Sequence, residues 1–211
     1  MSKTDGEGNV THYENFDQWG NTGTIIEAYG TPEQRTITRT FNESINKLIS
    51  VTRPSTTSGK QKTISYTYDS HGNLLSRTES GFANGTPISR TTSYTYNSRG
   101  QITRIDGPRT DVSDVVTFSY DSMGNLVSVT RPLLGTITYS DYDAFGRVGR
   151  ITDPNGLVTA YTYDSRGRIS EINRGDHIIT FEYNPNGTLK KITMSEGETL
   201  NYIYDEVQRL T

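Results

Sequence analysis

One short unit is written nine times along this chain, and it constrains the fold more than any other feature. It is an aromatic residue, then Asp or Asn, two further residues, and usually Gly. The copies read FDQWGN (from Phe16), FNESIN (Phe41), YDSHGN (Tyr68), YNSRGQ (Tyr96), YDSMGN (Tyr120), YDAFGR (Tyr142), YDSRGR (Tyr163), YNPNGT (Tyr183) and YDEVQR (Tyr204). Successive copies are 25, 27, 28, 24, 22, 21, 20 and 21 residues apart. A period of this size implies stacked copies of one supersecondary unit, none of which buries its apolar face alone.

Each copy decodes as strand, turn, strand. Before the turn stands aromatic-x-aromatic: Tyr66/Tyr68, Tyr94/Tyr96, Phe118/Tyr120, Tyr161/Tyr163, Phe181/Tyr183 and Tyr202/Tyr204. A spacing of two puts both rings on one face of a strand. In the turn, the Asx side chain accepts from backbone amides ahead of it, and glycine supplies the positive φ of a type I turn with a G1 bulge. Seven copies carry both: Asp17/Gly20, Asp69/Gly72, Asn97/Gly100, Asp121/Gly124, Asp143/Gly146, Asp164/Gly167 and Asn184/Gly187. An apolar residue then falls six positions past the aromatic (Leu74, Ile102, Leu126, Val148, Ile169, Leu189, Leu210), and another at nine (Ile105, Val129, Ile151, Ile172, Ile192). Six and nine differ in parity. Either both faces of the sheet bury something, or a bulge realigns the strand.

Return strands end at RPS, DGP, RPL, DPNG or NRGD, after which the next strand begins. Proline ends ladder pairing and glycine turns the chain. Hairpins joined this way form an antiparallel meander. No segment carries a 3.6-residue apolar period, so almost no helix is expected. Two copies depart from the pattern. Ile45 occupies the glycine position of the second, with Leu48 one place late, so that hairpin needs a different turn. Gln208 occupies the glycine position of the last, which stops at Thr211 with almost no return strand. Residues 1–211 therefore read as a single array of about nine units over about 13–211, behind a polar segment 1–12. The missing half-hairpin reads as an excerpt of a longer array.

Only 31% of the residues are hydrophobic, while Tyr numbers 14 and Gly 20. Typical domains reach roughly 45–50% apolar when glycine is counted. Such a chain suits a thin layer with aromatic rows better than a thick core. The 21 basic and 24 acidic residues are interspersed, giving a net charge of −3. No basic stripe argues for nucleic acid as a partner. With no cysteine, disulfides and thiolate metal sites are excluded, which fits a cytosolic or a secreted bacterial protein. No apolar run approaches the roughly 18–20 residues of a membrane span, and the polar start shows no signal peptide.

The unit, best seen in YDAFGRVGRITDPNGLVTAYTY from Tyr142 to Tyr163, resembles the RHS or YD repeat, and the resemblance runs from about Tyr13 to the C-terminus. Bacterial polymorphic toxins, insecticidal toxin complexes and animal teneurins carry it. The resemblance implies an all-β fold: tandem antiparallel hairpins in one long, twisted, spiralling sheet, here an open segment of a shell. In the toxins such a shell encloses a cytotoxic C-terminal domain, and the repeats are not catalytic. The implied role is therefore a non-enzymatic wall segment without cofactor. Its partners would be the rest of its own shell and the enclosed domain, and its parent a secreted or cell-surface bacterial protein. Exposed strand edges would favour edge-to-edge self-association.

Other chemistry competes with this reading. The Asx ladder could bind cations, but several rungs are Asn and all stand where turn capping wants them. The tyrosines Tyr66, Tyr68, Tyr94, Tyr96, Tyr161 and Tyr163, with Trp19, are candidate contacts for carbohydrate or a cell-surface partner. The competing reading is a cross-strand aromatic ladder that only packs. His12, His71 and His177 lie in different copies, so no metal site is expected. Asp153-Pro154-Asn155-Gly156-Leu157 resembles the DPxGL element of aspartyl self-cleavage in the family's toxins, but an ordinary strand follows it and a turn explains the residues.

Overall fold

The computed structural model describes residues 1–211, and every regular element in it is a strand. Contacts divide the chain into two units, Met1–Val115 and Val116–Thr211. The first holds β1 (Ser2–Thr4), β2 (Val10–Phe16), β3 (Thr22–Glu27), β4 (Arg35–Asn42), β5 (Lys47–Pro54), β6 (Gln61–Tyr68), β7 (Leu74–Ala83), β8 (Thr86–Tyr96) and β9 (Ile102–Asp106). Each pairs antiparallel with the next in sequence. The second repeats the scheme with β10 (Val116–Tyr120), β11 (Leu126–Arg131), β12 (Gly135–Ser140), β13 (Arg150–Thr152), β14 (Val158–Tyr163), β15 (Ile169–Arg174), β16 (His177–Tyr183), β17 (Leu189–Met194) and β18 (Thr199–Asn201). The all-β, antiparallel hairpin-repeat architecture expected from the sequence is thus present in both units.

A bulge settles the parity question. Tyr161 faces Ile172 and Tyr163 faces Ile169, with a register shift between Thr162 and Tyr163. Ser170 is the extra residue on the return strand. It rotates the strand by one position, so the apolar residues at six and nine both face the aromatic pair. The same shift occurs at Thr40/Phe41, Thr67/Tyr68, Thr95/Tyr96, Ser119/Tyr120 and Glu182/Tyr183. Apart from Tyr66, which faces Arg77, the tyrosines of these pairs meet aliphatic residues across the hairpin and none faces another tyrosine, which corrects the aromatic-ladder reading.

The first and sixth hairpins solve the same problem differently. Glu14 pairs with Thr24 and Phe16 with Thr22, leaving Asn15 opposite Gly23. Asn15 takes a left-handed φ of 55°, and a Cβ on Gly23 would stand 2.6 Å from the Asn15 carbonyl oxygen. Asp141 (φ 57°) and Gly149 repeat the arrangement. In the second hairpin the positive φ moves from Ile45 to Asn46 (49°), and in the last it falls on Gln208 (63°). The N-terminal 1–12 segment is folded too. Asp5 caps the turn between β1 and β2 as in the other copies, accepting from the amides of Glu7 and Asn9, both at 2.9 Å.

The layer is thin. Only Ile26 and Val129 are buried. The accessible surface is 14127 Å², against roughly 9,800 Å² for a globular monomer of this length. One face carries the half-buried aromatic and aliphatic rows. The other carries hydroxyls paired across strands: Thr40 with Ser50 at 2.6 Å, Thr52 with Thr63 at 3.0 Å, Thr67 with Ser76 at 2.7 Å and Thr78 with Thr91 at 2.9 Å. The second unit continues the pattern with Ser119 and Ser128 at 2.6 Å, and Thr162 and Ser170 at 2.9 Å.

Candidate functional site

The feature that repeats most closely is the turn edge. In the turn after Tyr163, Asp164 Oδ1 accepts from the amides of Arg166 and Arg168, both at 2.9 Å. The Gly167 amide donates to the Asp164 carbonyl at 2.9 Å, and Gly167 has φ 82°. The second carboxylate oxygen takes the side chain four residues on: Arg168 Nε at 2.8 Å and Nη2 at 2.6 Å. Asp143 holds Arg147 in the same way, while Asp17, Asp69 and Asp121 hold Asn21, Asn73 and Asn125 through Nδ2, each at 2.9 Å. Where the turn residue is Asn, roles reverse. Asn97 Nδ2 donates to Gln101 Oε1 at 3.0 Å, and Asn184 Nδ2 to Thr188 Oγ1 at 2.9 Å. An acceptor at the first position thus goes with a donor at the fifth, and a donor with an acceptor. These hydrogen bonds, the side-chain one foremost, hold the Asp17, Asp69, Asp121, Asp143 and Asp164 carboxyls below the usual aspartate range.

The other turn glycines match Gly167. Gly20, Gly72, Gly100, Gly124, Gly146 and Gly187 have φ of 81°, 82°, 76°, 95°, 76° and 99°. Each donates its amide to the carbonyl of the Asx three residues earlier, at 2.9–3.1 Å. Their part is therefore conformational: they close the turn and offer no side chain to a ligand. Gly100 lies on the wall of the groove at Tyr94 and Tyr96, whereas Gly20, Gly72, Gly124, Gly146 and Gly187 lie outside it.

In five units the second aromatic joins one repeat to the last. Tyr68 donates its hydroxyl to the Leu48 carbonyl at 2.9 Å, and Tyr96 to that of Leu74 at 2.7 Å. In the second unit, Tyr142 reaches Leu126 at 2.6 Å, Tyr163 reaches Val148 at 2.8 Å and Tyr183 reaches Ile169 at 2.8 Å. In each case the acceptor is the residue six or seven positions past the preceding aromatic, where the chain leaves the turn. There the turn and bulge interrupt the ladder, and the phenol supplies the donor that strand pairing does not. Partial burial pushes the Tyr68, Tyr96 and Tyr142 phenols up from their ordinary range.

Arginine adds a second connection late in the chain. The Arg147 guanidinium lies 4.6 Å from the centre of the Tyr163 ring, and Arg168 lies 4.1 Å from that of Tyr183. Each arginine therefore grips the aspartate of its own turn and covers the tyrosine of the next.

The candidate binding tyrosines fall into two groups. Tyr68, Tyr96 and Tyr163 direct their hydroxyls into the backbone, as above. Tyr66, Tyr94 and Tyr161 are half-buried on the same face. Trp19 stands 59% exposed at the tip of the first turn. A groove of about 520 Å³ in the first unit gathers Tyr94, Tyr96, Asp69, His71, Asn97, Arg99 and Gly100, bringing together two of the predicted tyrosines and three turn residues, Asp69, Asn97 and Gly100. Tyr161 and Tyr163 belong to the second unit and are not among the residues that line that groove. His12 contacts the Ser2 hydroxyl at 2.9 Å, stacks on Tyr29 with centroids 4.7 Å apart, and has Glu14 at 3.7 Å. No three His, Asp or Glu side chains gather at metal-binding distance. Asp153 caps an ordinary turn, accepting from Asn155 at 2.9 Å and Leu157 at 3.0 Å.

A family model described as the teneurin YD-shell matches residues 4–211. The chain belongs to the teneurin YD-shell family. Among solved structures, this YD-shell chain is similar to a TcdB2-TccC3 toxin complex lacking its hypervariable C-terminal region. The TM-score is 0.57 and the identity 15%, over 100% of this chain and 13% of that one. It is also similar to a Tc holotoxin pore from Photorhabdus luminescens, with TM-score 0.56 and 16% identity over 99% of this chain and 13% of that one. A curated relative, double-stranded DNA deaminase toxin A of Burkholderia cenocepacia, is 32% identical over 94 residues, covering 44% of this chain and 6% of the relative. The chain spans only a small fraction of each.

Within this YD-shell segment, one working group escapes a reading from sequence. The carbonyls that receive the tyrosine hydroxyls carry no side-chain signature. The fifth turn position does carry one, the donor–acceptor match with the first. The hydroxyl face is also legible, as the Thr or Ser between the paired aromatics at Thr67, Thr95, Ser119 and Thr162.

Proposed function

We propose that this chain is a non-enzymatic wall segment of a larger YD-repeat shell that encloses a C-terminal toxin or effector domain. The observation that carries this reading is the tyrosine-to-carbonyl link between successive repeats. It closes five hairpins onto their predecessors by the same contact, so the array extends without a site-specific interface. Toxin proteins among the similar structures and relatives support the enclosed partner, and a secreted or surface-displayed bacterial parent goes with it. The deaminase activity named for the Burkholderia relative is not transferred, because the matching region is 6% of that protein.

The test is protease protection of the parent protein. With an intact wall, the enclosed domain resists digestion. Replacing Tyr68, Tyr96, Tyr142, Tyr163 and Tyr183 together with Phe opens the repeat-to-repeat links and exposes it. A domain digested equally fast in both proteins would refute enclosure by this wall.

The groove at Tyr94 and Tyr96 supports a second reading, carbohydrate binding. Aromatic faces beside Asp69 and Asn97 supply stacking and hydrogen-bonding groups of the kind sugars require. A glycan array decides it: saturable binding abolished by Tyr94→Ala would displace the pure wall role.

A further inference from the structure

We propose that the first unit binds a tetrahedral oxyanion, the phosphate or sulfate group of an ester, in a groove on β5–β8 beside Gly81. The groove has a volume of about 490 Å³ and is lined by Arg53, Lys62, Arg90 and Arg35, with Glu79 as its acidic residue. Strand pairing puts these charges on one face. Arg53 stands directly opposite Lys62, and Arg90 directly opposite Glu79.

The charges do not balance. Glu79 is already shared between Lys62 at 3.2 Å and Arg77. Arg35 pairs with Glu27 at 3.2 Å. Arg53 and Arg90 are exposed and form no ion pair. Two guanidinium forks therefore flank a lysine with no carboxylate left for them, and a fork matches the oxygens of phosphate or sulfate in pairs.

Two independent features point to an occupant. First, Arg53 and Lys62 are like charges directly opposite on neighbouring strands, and the one carboxylate beside them, Glu79, is spent on Lys62 and Arg77, so the Arg53 charge is left unrelieved. Second, Gly81 leaves the floor beside Lys62 open, on the side away from Arg53. Its φ lies outside the left-handed region, so no turn demands glycine there, and a Cβ at that position would make no more than ordinary contact with Lys62 Cγ at 3.7 Å. A glycine inside a strand loses packing and chain stiffness, and here it provides room beside the cations.

The experiment is a thermal melt and a calorimetric titration of the whole chain at fixed ionic strength. The probes are inorganic phosphate and a sulfated heparin hexasaccharide, with chloride as the reference. The expected result is a rise in Tm over chloride with at least one probe. R53Q/R90Q then weakens binding tenfold or more, and G81V does the same while keeping every charge. R53Q alone removes the like-charge contact with Lys62, so its Tm in chloride stays level or rises. Hexasaccharide binding at least tenfold tighter than phosphate assigns the anion to a sulfated glycan; comparable affinities assign it to a free or small phosphate ester. No rise in Tm with either probe, or binding unchanged in both R53Q/R90Q and G81V, overturns the proposal.

Discussion

The Tyr163 hydroxyl donates to the Val148 carbonyl across 2.8 Å, linking two repeats through one oxygen. Val148 lies six residues past Tyr142, at the point where the chain leaves the preceding turn. Tyr163→Phe keeps the ring and its contact with Ile169 but leaves that carbonyl without its donor. The expected loss is about 1 kcal/mol, the net value of one such hydrogen bond. Urea unfolding measures it, and a midpoint equal to the parent's would show that water replaces the phenol at no cost.

Gly23 and Gly81 separate two kinds of strand glycine. A Cβ at Gly23 would press on the Asn15 carbonyl oxygen at 2.6 Å, and backbone cannot swing aside as a side chain can. Gly23→Ala should cost roughly 1–3 kcal/mol, as overpacking does. Gly81→Ala meets only the lysine stem at ordinary contact distance and should leave stability unchanged or slightly higher. Equal melting curves for the two variants would contradict the paired Asn15–Gly23 geometry.

The turn carboxylates make the fold acid-sensitive in a defined direction. Their folded-state pKa values lie below the ordinary aspartate value. The unfolded chain therefore takes up protons first as pH falls. The stabilisation is complete above the unfolded value of about 3.9 and is lost as pH drops through the lower folded values. The chain itself contains a neutral replacement, the Asn97–Gln101 pair. Installing it as Asp164→Asn/Arg168→Gln should make the acid limb of a stability–pH curve shallower by one carboxylate's share while preserving the turn. A limb as steep as the parent's would place the acid sensitivity elsewhere.

Arg168 and Tyr183 should be energetically coupled. The guanidinium sits 4.1 Å from the ring centre, and Asp164 holds it there. A double-mutant cycle with Arg168→Gln and Tyr183→Leu should return about 0.5–1 kcal/mol. Additive effects of the two changes would reduce the stack to mere proximity.

Gln208 holds a φ of 63°, the left-handed conformation that Gly146, Gly187 and the other turn glycines adopt at the same place. Gln208→Gly removes roughly 1 kcal/mol of left-handed strain from the last hairpin. Slower amide exchange at Arg209 and Leu210 would report it. Unaltered exchange would mean that Asp205, which accepts from the amides of Val207 and Arg209, already sets the turn.

Much of this was written in the residues because the turn is local. Asp164 and Gly167 are three positions apart, and their chemistry depends on nothing remote; Gly20, Gly72 and Gly124 take the same conformation for the same reason. The parity of Ile169 and Ile172 was not decided, because a bulge at Ser170 has no residue requirement strong enough to announce it. The turn at Asp5–Asn9 was missed because Thr4 stands where an aromatic would mark it. The tyrosine links escaped for a different reason. Their acceptors are backbone carbonyls, and every residue has one. The groove at Arg53, Lys62 and Arg90 was hidden by distance along the chain, since a net charge of −3 conceals three cations that only strand pairing assembles.

The tyrosine links also have a direction. In all five, the donor comes later in the chain than the carbonyl it reaches, by 14 to 22 residues. A ribosome emits the earlier residue first. Each new tyrosine therefore leaves the exit tunnel when its acceptor is already outside, and no hairpin waits for sequence not yet made. The wall is built like courses of masonry, each laid on the one before, in the order in which the message is translated.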